Sequence, residues 1–145
     1  MTAAVFIPEQ FERIKDLPLG VGKHAAPDDG SDPVEFCVVE KHAWVCGEGL
    51  TDRSRNMSPV IAELLRRFQD STDDGGRAQI NTWWAANTER LIATRHDGHD
   101  RPRGFLAANF AMRIGLPTIL EQLAGAPDAA AALRAHAPIV DDATA

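Results

Sequence analysis

The segment FCVVEKHAWVCGEG, Phe36 to Gly49, holds two cysteines, a histidine, a tryptophan, a lysine and two glutamates. Thiolate and imidazole ligate zinc, and paired thiols can form a disulfide. The spacing opposes both. Cys37 and Cys46 are nine positions apart, which in one helix is about 900° of rotation and about 13.5 Å of rise, placing them on opposite faces. In one strand they again face apart, about 30 Å distant. A disulfide needs Cα atoms within about 7 Å, which only a hairpin turning at Glu40 to His42 would supply. His42 and Cys46, four apart, share a helical face and could give two metal ligands. A structural zinc site uses four, and the chain has no second cysteine pair; His24, His96, His99 or His136 would have to complete the set. The expectation is therefore that both cysteines serve as small buried hydrophobes beside Val39, Ala43 and Trp44, with no metal, no cofactor and no catalytic residue assigned. A metal-dependent enzyme drawing on Glu40, His42, Cys46, His96 or His99 is the competing chemistry.

Other clusters raise questions of binding. RHDGHDRPR, Arg95 to Arg103, groups His96 and His99 with Asp97 and Asp100; without helical spacing to fix them, a polar loop is expected. Neither DDGSD nor DGHD has the twelve-residue spacing and terminal glutamate of a calcium loop. Arg66 and Arg67, with Arg53 and Arg55 just upstream, could form a partner-binding face. Trp83 and Trp84 are adjacent, so on a helix they point about 100° apart and cannot both centre one buried stripe; the exposed one would suit an interaction hot spot. Arg66, Arg67 and Trp83 are the candidate partner-binding residues. ANFAMRIGLPTILEQLAG places Ala111, Gly115 and Pro117 as a helix-turn-helix would, and a DNA-binding regulator using residues 101–124 is the alternative reading. The second helix would carry Glu121 and Gln122 but no lysine or arginine, which weakens contact with bases or phosphates.

The elements that must hold these residues are signalled mostly by a small polar residue followed by proline, whose fixed φ suits a first helical turn. In SDPVE, Asp32 caps, Pro33 begins and Glu35 reaches back, predicting a helix over about 33–46 that stops at Gly47. In MSPVIAELLRRFQD, Ser58 caps and Pro59 begins; Val60, Ile61, Leu64, Leu65 and Phe68 fall within an arc of about 140°. GRAQINTWWAANTERLIAT reads as a long helix with Ile80, Trp84 and Leu91 on one face. RGFLAANFAMRI is apolar almost all round, predicting a helix enclosed by its neighbours. Gly115 ends it, and Pro117 opens a short helix closed by Gly125. Phe11 and Ile14 mark an opening helix after Pro8, and DAAAALRAHA a last one. The prediction is an all-α, compact single-domain bundle of about six or seven helices over 1–145, with an ordered core at about 6–135 and flexible stretches at 22–32 and 137–145.

The 145 residues suffice for one self-supporting core. At 44% apolar, no run approaches the roughly 20 residues needed to cross a bilayer, and MTAAVFIPEQFERIK lacks the basic leader and apolar stretch of a secretory signal. No membrane association is expected, and the expected compartment is the cytoplasm of a bacterium or an infected host cell. The net charge of −6 opposes general nucleic-acid binding. Between Glu89 and Arg113 five arginines face three acids, a local +2 that leaves −8 elsewhere. Twelve arginines against three lysines suggest GC-rich coding.

The run Cys37-Val38-Val39-Glu40, then Ala43-Trp44-Val45, Gly47-Glu48, Thr51-Asp52, Ser58-Pro59-Val60-Ile61 and RLIAT at Arg90 to Thr94 resembles an uncharacterised family of short helical proteins from actinobacteria and their phages. The likeness covers roughly Phe36 to Gly125, and Met57 stands where those sequences often carry a cysteine. It implies a helical fold and such a source, and supplies no activity. The functional expectation is a non-enzymatic accessory protein that binds a macromolecular partner, a protein rather than nucleic acid, in an oligomeric state the residues leave open.

Overall fold

Residue 37, not residue 32, starts the helix at the centre of this chain. The computed structural model describes residues 6–22, 24, 33–122 and 126–141, so Asp32, most of the loop expected at 22–32 and Gly125 lie outside the described residues. Residues 33–37 stay outside the helix because Phe36 bridges to Leu19, and the Phe36 carbonyl accepts from the Gly20 N–H at 2.9 Å. A residue bonded sideways in this way cannot also join a helical ladder. Helix α2 therefore runs Val38–Val45, capped by Cys37, whose sulfur accepts from the Glu40 N–H while the Glu40 carboxylate accepts from the Cys37 N–H. This is a capping box with sulfur in place of a hydroxyl. The helix stops where the sequence says, at Gly47: its φ of 71° lets Gly47 N–H reach the Trp44 carbonyl and Glu48 N–H the Ala43 carbonyl, a Schellman closure.

Among the described residues the fold is all-α, with no strand beyond that single bridge. The helices separate into two units, Met1–Gly98 and His99–Ala145. The first contains α1 (Pro8–Ile14), α2, α3 (Pro59–Ser71), α4 (Asp74–Leu91) and a 3-10 turn at Thr94–His96. Only Thr72 and Asp73 join α3 to α4, and the Asp73 carboxylate caps α4 by accepting from Gly76 N–H at 2.8 Å. The core joins Ile14, Leu19, Phe36, Val38, Val39, Val45, Met57, Leu65, Trp84 and Leu91, so α2 is packed against α1, α3 and α4.

The α3 arc is present but rotated from the core. Ala62, Leu65 and Gln69 are the buried positions, while Phe68 is 43% exposed. By helical geometry the buried side lies roughly 100° round from the centre of the Val60–Phe68 apolar arc. The arc covers more surface than the core needs, and its surplus faces α4.

The second unit contains α5 (Asp100–Phe110), a π-helical turn (Ala111–Gly115), α6 (Leu116–Gln122) and α7 (Pro127–Ala135). The turn expected at Gly115 does not form. Ala111 and Leu116 keep right-handed helical angles, and the chain runs through the widened π turn into α6. Pro117 explains the widening, because its ring has no N–H and crowds the carbonyl four residues back. Nor is α5 enclosed: it has no buried residue, and Leu106 is 69% exposed. An all-round apolar pattern marks what a helix can bury, and this unit's described residues close fully only around Pro117, Ala130 and Ile139. Asn109 holds the chain after α7, its side chain bonding both the N–H and the carbonyl of Ile139. No described helix is long and apolar enough to cross a membrane.

Candidate functional site

Helix α2 buries Glu40, Lys41 and His42 completely. Such burial is tolerable only when each polar atom finds a partner. Lys41 Nζ donates to the Leu17 carbonyl, to Asn81 Oδ1 at 2.7 Å and to the Lys15 carbonyl at 3.3 Å, and lies 5.3 Å from the centre of the Trp84 ring. Three ammonium protons meet three neutral acceptors. Burial draws its pKa down to about 8, with the Asp16 charge acting the other way.

Burial would raise the Glu40 carboxyl, but the N–H groups of Cys37 and His24 and the His24 ring outweigh it and hold the pKa below its ordinary value. The His24 Nδ1 contact is 2.8 Å, and His24 Nε2 lies 3.7 Å from the exposed Glu35 carboxylate. His42 Nδ1 is 3.3 Å from Thr88 Oγ1, its Nε2 is 3.7 Å from Cys46 Sγ, and burial draws its pKa down to about 4. Burial pushes both thiols up to about 12. A reactive thiol needs a depressed pKa, and a proton-shuttling imidazole one near neutrality; these shifts run the other way. Cys37 and Cys46 are free thiols at opposite ends of α2. Among the described residues no three or more His, Cys, Asp or Glu side chains converge as ion ligands; His96 and His99 are exposed. The segment richest in chemistry is an internal polar brace, extended by Gln69, whose amide accepts from Val38 N–H at 2.7 Å and donates to the Gly20 carbonyl.

Surface features with binding character lie on the flanks of α3. On one flank α3 and α4 enclose an apolar groove of about 520 Å³ lined by Ile61, Leu64, Leu65, Phe68, Gln79, Ile80 and Trp83. Trp84 is fully buried and Trp83 is 46% exposed, the division their adjacency requires. On another flank lies a cavity of about 330 Å³ lined by Asp52, Arg53, Ser54, Arg55, Met57, Pro59, Ala62, Arg66 and Arg95. The three residues singled out from sequence are thus separated: Trp83 lines the groove, Arg66 the arginine-rich cavity, and Arg67 stands 78% exposed beside Glu63. Arg95, set by sequence within the histidine-containing loop, belongs with Arg53 and Arg55. Only the position of the 3-10 turn brings it there, through Arg95 N–H to the Asn56 carbonyl and Ser58 N–H to Thr94 Oγ1.

No family model, curated protein or solved structure matches this chain. Among the described residues the geometry defines an all-α protein in which the buried charges of α2 are partnered, while Trp84 Nε1 and Gln10 Oε1 are buried without a hydrogen-bond partner.

Proposed function

We propose that this chain is a non-enzymatic accessory protein, of phage or actinobacterial kind, that acts in the cytoplasm by binding a protein partner through the α3–α4 groove. The observation carrying this reading is the groove itself: two aromatic rings, Phe68 and Trp83, stand nearly half exposed over Ile61, Leu64 and Ile80, while the core beneath is closed by other residues. Exposed clustered aromatics of this kind supply most of the affinity in protein interfaces. A cleft between two helices takes the apolar face of a third, anchored by side chains at successive turns.

A photo-crosslinking side chain at position 83 tests the reading in the producing cell. The expected product is one discrete adduct, competed by excess unmodified protein and lost when Phe68 is replaced by Arg. The same crosslinker at exposed Arg90 gives none. Equal labelling from positions 83 and 90 would overturn the proposal.

A further inference from the structure

Four arginines and one aspartate line the cavity of about 330 Å³ beside the start of α3, a local charge of +3 on a chain whose net charge is −6. Their side chains divide by occupation. Arg66 is held, donating from Nη1 to the Asp52 carbonyl at 2.8 Å and from Nη2 to Glu63 at 2.6 Å. Arg53, Arg55 and Arg95 are exposed, and among the described residues their guanidinium groups have neither a hydrogen bond nor an ion pair. Elsewhere on this unit Arg67 and Arg77 are each matched to a carboxylate. Three guanidinium groups gathered without paired carboxylates repel one another, and an anion in the cavity removes that cost.

The backbone that carries these arginines is fixed. The Glu48 carboxylate accepts from Ser54 Oγ, Arg55 N–H and Asn56 Nδ2, at 3.1, 2.6 and 2.6 Å. Ser54 Oγ in turn accepts from the N–H groups of Asn56 and Met57, and Ser54, Met57 and Ser58 are buried. The base of each side chain is therefore set before any ligand arrives, and only the guanidinium ends need to close. Met57, Pro59 and Ala62 give the cavity an apolar floor.

We propose that this cavity binds a small phosphate monoester. Guanidinium forks match phosphate oxygens in pairs. Three unengaged arginines suit a doubly charged terminal phosphoryl group, and the apolar floor suits the carbon skeleton attached to it. A recess of about 330 Å³ is small enough to suit an end group rather than a continuous strand, and the negative chain opposes a polyanion.

Titration of the full chain with inorganic phosphate, glucose 6-phosphate and AMP, followed by calorimetry and by the arginine Nε–H resonances, tests this. Saturable binding of at least one ester is expected, with shifts confined to Arg53, Arg55, Arg66 and Arg95. Binding of both esters points to the phosphoryl group as the recognised element, and AMP alone to a nucleotide. Arg53→Gln and Arg95→Gln should each weaken it roughly tenfold without changing the melting temperature, and Arg90→Gln should leave it intact. Citrate binding as tightly as the esters, an oligonucleotide binding more tightly, inorganic phosphate alone binding, no binding at millimolar ester, or unchanged affinity in the two variants would each overturn the proposal.

Discussion

Helix α2 hides Glu40, Lys41 and His42 completely, whereas α3 and α4 leave Phe68 and Trp83 nearly half in solvent. The usual segregation is reversed in both places, but the energetic meaning differs. Inside, Lys41 has three acceptors and Glu40 three donors, so burial is balanced locally. Outside, the two rings keep nearly half of their surface in water, where covering apolar area is favourable. Unusual composition at a site says little until its partners are counted.

The largest effect is expected from Lys41→Ala, which leaves the Leu17 and Lys15 carbonyls and Asn81 Oδ1 without their donor. A loss of about 4 kcal/mol is expected, read as a fall of at least about 15 °C in Tm. A loss below about 1 kcal/mol would break the contrast, because the brace would then be incidental.

Acid comes next. His42, lowered from 6.5 to about 4, binds its proton more weakly when folded. The unfolded chain therefore holds more protons between those values, and stability is full above pH 6.5 and lost as pH falls toward 4, by roughly 3 kcal/mol. Glu40, lowered from its ordinary 4.5, adds a further loss below that value. Denaturant midpoints measured from pH 7 to 4 should show this slope, and His42→Gln should flatten its upper part. On the alkaline side Lys41 adds stability between pH 8 and 10.5, and the two thiols, raised from 9 to about 12, remove it from pH 9 upward.

A smaller change sharpens the role of sulfur. Cys37→Ala removes a cap and should cost about 1 kcal/mol, while Cys37→Ser keeps an acceptor and should cost less than half of that. Equal losses in the two variants would show that packing, not capping, matters at this position. Smallest of all, Trp83→Arg should change stability by less than about 1 kcal/mol, since the long stem still covers the groove wall. A larger loss would move Trp83 into the core's account and away from binding.

How much of this was readable beforehand follows from the range of each signal. Ser58-Pro59, Gly47 and the Trp83–Trp84 pair act over a few residues, and the helices and burial they imply are present. The start of α2 is set instead by a bond from Phe36 to Gly20, sixteen positions away, which overrides the Asp32-Pro33 signal. Lys41 and His42 look like solvent-facing residues until Asn81 and Thr88 are brought beside them. Periodicity gave the width of the α3 arc but not which part of it faces inward, because that depends on where α2 and α4 lie. Arg53 and Arg55 were visible as a pair; Arg95 joins them only through the turn after α4. The continuous helix through Gly115 depends on a π turn, for which a lone glycine and proline are equally good signals of a break.

The placement of the two sulfurs at either end of α2 makes them built-in gauges of opening. A thiol reagent reaches neither while the first unit is closed, so the rate at which each is alkylated measures how often its end of the helix parts from the rest. Fraying at the cap would free Cys37 alone, and loss of the glycine closure would free Cys46 alone. Matching rates would mean that the brace releases in one concerted step.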